Sequence, residues 1–157
     1  MSAFLVLGTT IAATLVSGGS AQALGVEKVC YKAHIANYGW QDWKCQGGQA
    51  GFTGRNQPIE AMEITISGFG DFCAKSHRRD LGWEGLECVS SGEVIQVGEP
   101  GRSMRLEAVE IHTASPGVHG RAHVQNKGWL NPVAGHVFTL GTTGEARNLE
   151  AVEIWKE

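Results

Sequence analysis

Charge is scarce in this chain. Of its 157 residues 18% are Asp, Glu, Lys or Arg, the formal net charge is −3 and the pI is about 6.1. That balance leaves no electrostatic footprint for nucleic acid or for an anionic membrane surface. The zinc-protease pattern His-Glu-x-x-His, a phosphate-binding loop, a nucleophile elbow and the dinucleotide fingerprint are all missing. No catalytic residue, cofactor or metal is therefore assigned, and an enzyme is not expected. His119 and His123 share a strand parity but stand about 13 Å apart at the usual strand rise, too far to share one ion. Disorder is excluded by an apolar content of 42%. What the chain has in plenty is glycine, 22 residues, roughly twice average usage. These follow no every-third-residue rule, which removes a collagen-like helix.

Residues 1–23 carry no charged side chain, and the apolar run Ala3 to Val16 is followed by Ala21-Gln22-Ala23. An apolar core of about 14 residues before a small-x-small site reads as a secretory signal cleaved after Ala23, too short for a spanning helix. The expected mature chain, 24–157, is secreted or extracellular, with cell-surface association through whatever it binds and no membrane insertion after cleavage.

The rest of the chain repeats. Lys32-Ala33-His34, Asn37 and Gly39-Trp40 recur as Lys75-Ser76-His77, Asp80 and Gly82-Trp83, and again as Arg121-Ala122-His123, Asn126 and Gly128-Trp129. A second block follows each time: Gly51, Gly54 and Ile59-Glu60-Ala61-Met62-Glu63-Ile64, then Gly98, Gly101 and Leu106 to Ile111, then Gly141, Gly144 and Leu149 to Ile154. Three units result, 29–68, 69–117 and 118–157, the second enlarged around Ser90 to Gln96. Each opens and closes on a run with strand alternation: Val29, Tyr31, Ala33 and Ile35 share one face, Cys30, Lys32 and His34 the other. The glycine-rich 15 to 20 residues between the runs are too short for a crossover helix and are read as a small irregular hairpin within the unit. A unit of about 43 residues cannot stand alone. The expectation is an all-β, pseudo-threefold domain sharing one core, β-trefoil-like, with a β-prism-like arrangement as the alternative.

Cys30 and Cys45 superpose on Cys73 and Cys88, and in the third unit both positions change together, to His119 and Ala134. Four cysteines allow three pairings. Joint presence or absence within a unit favours Cys30–Cys45 and Cys73–Cys88 over a four-thiolate zinc site, which would lack a Cys-x2-4-Cys chelate.

The stretches Arg121 to Trp129 with Asn148 to Ile154, and Lys32 to Trp40 with Ile59 to Ile64, resemble the clostridial hydrophobic-W (ChW) repeats of secreted and surface proteins from Gram-positive bacteria. The second unit is more divergent, with Arg78-Arg79-Asp80 in place of apolar or amide residues. The resemblance spans the mature chain and implies an extracellular role in adhesion, polymer binding or protein interaction, with no catalytic residues to transfer.

Trp40, Trp83 and Trp129 have two readings. A position kept in every unit is first of all a packing position, so core wedges are the favoured one; sugar-stacking platforms are the other. Trp43 and Trp155 do not recur, which makes them candidates for a function specific to one unit. His34, His77 and His123 share the outward face with Lys32, Lys75 and Arg121, and with Glu63, Glu110 and Glu153 across the strand pair. Glu60, Glu107 and Glu150 share parity with apolar neighbours and need hydrogen-bond partners if buried, for instance amides of the glycine-rich loops. The functional expectation is a non-catalytic module binding cell-wall or extracellular polysaccharide. The alternative is a protein-binding or inhibitory surface module using Trp43 or Ser90 to Gly98 against a surface protein, with a small hydrolase third.

Overall fold

The computed structural model describes residues 26–157, all of them in strands, turns and loops with no helix. The expected leader, 1–23, lies outside the described residues. Each unit supplies five strands. The first contributes β1 (Lys28–Ile35), β2 (Gly39–Trp40), β3 (Lys44–Cys45), β4 (Ala50–Gly51) and β5 (Ile59–Ser67). The second contributes β6 (Phe72–Arg78), β7 (Gly82–Trp83), β8 (Glu87–Val89), β9 (Val94–Gly98) and β10 (Leu106–Thr113). The third contributes β11 (Val118–Val124), β12 (Gly128–Trp129), β13 (Val133–Ala134), β14 (Val137–Gly141) and β15 (Leu149–Lys156).

The long opening and closing strands of a unit pair antiparallel, β1 with β5, β6 with β10 and β11 with β15. The two short strands after the opening one fold back on it, as β2 and β3 do on β1. The fourth strand leaves its own unit. β9 pairs with β5, β14 with β10, and β4 with β15, so each unit closes the sheet of the one before it and the first closes that of the third. This corrects the picture of a hairpin contained within each unit. It also gives the mechanical reason why the units need one another: no sheet is complete without a strand from its neighbour. The result is three five-stranded sheets that share no strand. The all-β, pseudo-threefold expectation holds: three antiparallel sheets around one core, consistent with a β-trefoil-like or β-prism-like domain.

Alternation does what the parity requires. Val29, Tyr31, Ala33 and Ile35 turn inward to meet Ile64, Ile66, Phe72, Ile111, Leu140 and Ile154 in a single cluster drawn from all three sheets. The enlarged segment of unit two is occupied in this architecture. Ile95 and Val97 enter the core from β9, and the preceding turn clasps unit one, the Gly92 N–H donating to the Ile66 carbonyl and the Ser91 hydroxyl oxygen accepting from the Gly68 N–H.

Symmetry is broken at Tyr31, whose counterparts are Ala74 and Gly120. It is fully buried, its hydroxyl donates to the Gly48 carbonyl at 2.6 Å, and it accepts from the Ile154 N–H at 2.7 Å. Units one and three are thus joined by one phenol. Burial pushes the Tyr31 hydroxyl up to about 12 against the lowering effect of the Ile154 amide. The unfolded chain, with tyrosine near 10, gives up this proton first, so the contribution is complete below about pH 10 and is lost as pH rises towards 12. Stability should fall by about 2 kcal/mol over that window from this group. Tyr31→Phe is expected to cost about 1–3 kcal/mol at neutral pH by orphaning the buried Ile154 N–H and the half-buried Gly48 carbonyl, and to flatten the alkaline limb. Urea midpoints from pH 7 to 12 check both; an alkaline slope unchanged by the substitution would rule out this assignment.

Candidate functional site

The outward face of each sheet carries the same constellation. On β1, Lys32 and His34 point away from the core. Lys32 pairs with Glu63 at 2.8 Å, Lys75 with Glu110 at 3.0 Å, and Arg121 with Glu153 at 2.6 Å. The cross-strand cation and carboxylate read from parity are therefore in contact. The histidines choose a different carboxylate, as His34 Nδ1 lies 3.1 Å from Glu60, His77 3.2 Å from Glu107 and His123 3.0 Å from Glu150. The approach is off the line of a straight hydrogen bond, and the three Nδ1 atoms have no other partner among the described residues.

A β-bulge explains how a carboxylate with core parity meets an outward histidine. His34 pairs with Ala61 and Ile35 with Ile59, so Glu60 is the extra residue; Glu107 and Glu150 are skipped in the same way in the other two sheets. A bulge re-aims the side chain it carries. The three glutamates are buried, at 3–4% exposure, yet turned to the histidine side. Glu60 also accepts from the Gly101 N–H at 3.0 Å, a loop amide contributed by the next unit.

Trp40, Trp83 and Trp129 are not core wedges. Each stands opposite the outward histidine, Trp40 to His34, Trp83 to His77 and Trp129 to His123, and residues paired across strands share a face. Trp40 and Trp129 are half-buried and Trp83 is 40% exposed. Each ring meets its histidine edge to face, with centroids 5.2–5.5 Å apart. Each also carries a cation over one side, Lys32 at 4.7 Å, Lys75 at 4.9 Å and Arg121 at 4.6 Å from the ring centroid. Stacking and ion pairing thus fix the orientation of the indole while part of it stays in contact with water.

The units differ around this shared centre. In unit one Trp43 is 41% exposed and lies on the other side of Lys32, 5.2 Å from the ammonium. In unit two His112 joins the Lys75 pair, 2.6 Å from Glu110. Burial alone would raise the Glu110 carboxyl, but the hydrogen bonds from His112 and Lys75 outweigh it and hold it below the usual range. In unit three Trp155 stacks on His119 with an interplanar angle of 21°. The bulged glutamates and this stacked pair were the features that strand parity alone did not reveal.

The cysteines pair as expected, Cys30–Cys45 and Cys73–Cys88, with Cα atoms 4.1 and 4.0 Å apart. Each bridges residues directly opposite in the ladder, on the face that bears the tryptophan.

A family model described as Clostridial hydrophobic W (ChW) matches residues 34–68 and 123–155. These segments fall in the first and third units and support ChW repeats there. The middle unit lies outside both matches. No curated protein and no solved structure matches the chain.

Proposed function

We propose that this chain is a secreted, non-catalytic module that binds cell-wall or extracellular polysaccharide through Trp40, Trp83 and Trp129. The observation that supports this most directly is the position of those rings: outside the core, partly exposed and held edge-on by a histidine. A fixed indole presents an apolar face to the C–H side of a sugar ring, and the adjacent Lys, Arg and Glu groups offer hydrogen bonds to its hydroxyls. His34, His77 and His123 act here as orienting groups, with Trp43 widening the platform in unit one. Three modest sites on three outer faces suit a polymeric ligand, because attachment at one raises the effective concentration at the next. Two disulfides fit an oxidising, extracellular compartment.

Retention of the purified protein on insoluble cell walls and on a panel of insoluble glycans tests the reading. One Trp→Ala change should weaken retention roughly 5- to 10-fold, from about 1–1.5 kcal/mol of lost aromatic contact. The combined Trp40→Ala, Trp83→Ala, Trp129→Ala variant should lose retention altogether while keeping a cooperative unfolding transition. A folded triple variant that binds as the parent does would end the proposal.

A further inference from the structure

The third sheet departs from the other two at one cross-strand pair. In unit one that pair is Cys30 and Thr65, in unit two Cys73 and His112, and in unit three His119 and Trp155. The disulfide position of unit three is held by His119 and Ala134, and on the other edge of the strand the His119 ring stacks on Trp155, 6.1 Å apart and 21° from parallel. Beside this stack is a shallow cavity of about 470 Å³ lined by Gln46, Arg121, Pro132, Glu153, Trp155 and Lys156. One wall comes from unit one. The Gly47 N–H donates to the Ile154 carbonyl at 2.8 Å, which brings the turn after Cys45 against β15 beside Trp155.

Arg121 joins this cavity to the repeated site. Its guanidinium lies over Trp129 at 4.6 Å and its Nε donates to Glu153 at 2.6 Å, which leaves its terminal NH2 groups without a partner among the described residues. Trp129 stands opposite His123, and Trp155 opposite His119. Four residues of strand, about 13 Å, separate those two histidines. The two indoles stand on the strands either side of β11, Trp129 on β12 and Trp155 on β15, so with Arg121 between them on β11 they form a line rather than a point.

Resting on the polysaccharide reading above, we infer that unit three is an extended subsite that takes consecutive pyranose rings of one glycan chain, one ring on Trp129 and a later one in the cavity at Trp155 and Pro132. Apolar ring faces meet Trp155 and Pro132, and hydroxyls reach the free end of Arg121, the Glu153 carboxylate and the Gln46 amide. The chemistry suits the middle of a chain, since the cavity is shallow and open. Units one and two have no such second step along the strand, because Thr65 and His112 stand where unit three has Trp155.

The test is chain-length dependence. Soluble fragments of one to six sugar rings, made from cell-wall glycan, chitin and cellulose, are titrated into the full protein and followed calorimetrically. The parent should gain tenfold or more in affinity between one ring and four. Trp155→Ala should keep single-ring binding and lose that gain, and Trp155→Phe should recover most of it, which a loss of folding could not mimic. Equal length dependence in the parent and Trp155→Ala would overturn the extended subsite while leaving the repeated tryptophan sites standing. Absence of binding by the parent to every fragment and every insoluble glycan would overturn both.

Discussion

Removal of both disulfides is expected to leave the domain largely unfolded at room temperature. Each bridge closes a separation of 15 residues, and the loop-entropy relation gives about 3 kcal/mol for such a loop. The two bridges lie in different sheets and share no partner, so their effects should add to about 6 kcal/mol. Whole domains of this size are stable by only about 5–15 kcal/mol. The bridges also hold two short strands, the two residues of β3 and the three of β8, against their long neighbours. Access separates the two: Cys30 is 6% exposed, whereas Cys88 is open to solvent. Graded reduction should therefore open Cys73–Cys88 first, as exposed bridges are the labile ones. Urea melts of Cys30→Ser/Cys45→Ser, Cys73→Ser/Cys88→Ser and the fourfold variant read the energies, and alkylation with peptide mass mapping reads the order. A fourfold variant with the parent's midpoint would show that the ladder, not the bridge, holds these strands.

The outline of the fold was legible because repetition and parity are global signals. The offsets between units gave the threefold count, and alternation in β1 placed Val29, Tyr31, Ala33 and Ile35 inside. Joint loss of both cysteine positions in unit three gave the disulfide pairing. Strand exchange was not legible, since a two-residue strand such as Ala50–Gly51 has no periodicity and nothing local says which sheet it will join. Nor was the bulge: a single extra residue at Glu60, Glu107 and Glu150 reverses the face that parity assigns, and only the cross-strand register exposes it. The outward tryptophans are hidden from parity for a different reason. Recurrence favours a packing position, yet the six-residue step from His34 to Trp40 spans a tight turn that sets the two side chains opposite one another on one face. The cue was in the sequence, in the coupling of the Trp to an outward His through that turn.

The bulged carboxylates and the exchanged strands belong to one device. At the end of each sheet the closing strand loses a ladder step at its glutamate. In the first sheet the neighbouring unit's glycine loop fills the space, the Gly101 N–H donating to Glu60. The outward histidine rests on that carboxylate, and the tryptophan rests on the histidine. Interlocking of the units and orientation of the candidate ligand platform thus share residues, so the site is as rigid as the junction between units.

The first glycine of each Gly-x-x-Gly pair is where this junction is least tolerant. Gly51, Gly98 and Gly141 have φ of 97°, 75° and 105°, in the left-handed region that side chains disfavour. A Cβ there would sit 2.1, 2.4 and 2.2 Å from the carbonyl oxygens of Glu150, Glu60 and Glu107. Those oxygens are backbone of the preceding or closing sheet and cannot turn aside. Gly141→Ala should therefore cost more than about 4 kcal/mol, combining a left-handed penalty of about 1–2 kcal/mol with displacement of β14 from β10. Gly144→Ala is the matched control: its φ is 74°, but an added Cβ meets nothing within 4 Å. Only the left-handed penalty, about 1–2 kcal/mol, should appear there. Chemical denaturation of the two variants side by side separates close approach from backbone conformation. Equal losses would mean that the exchanged strand can shift to make room, and that the units are coupled less tightly than their register implies.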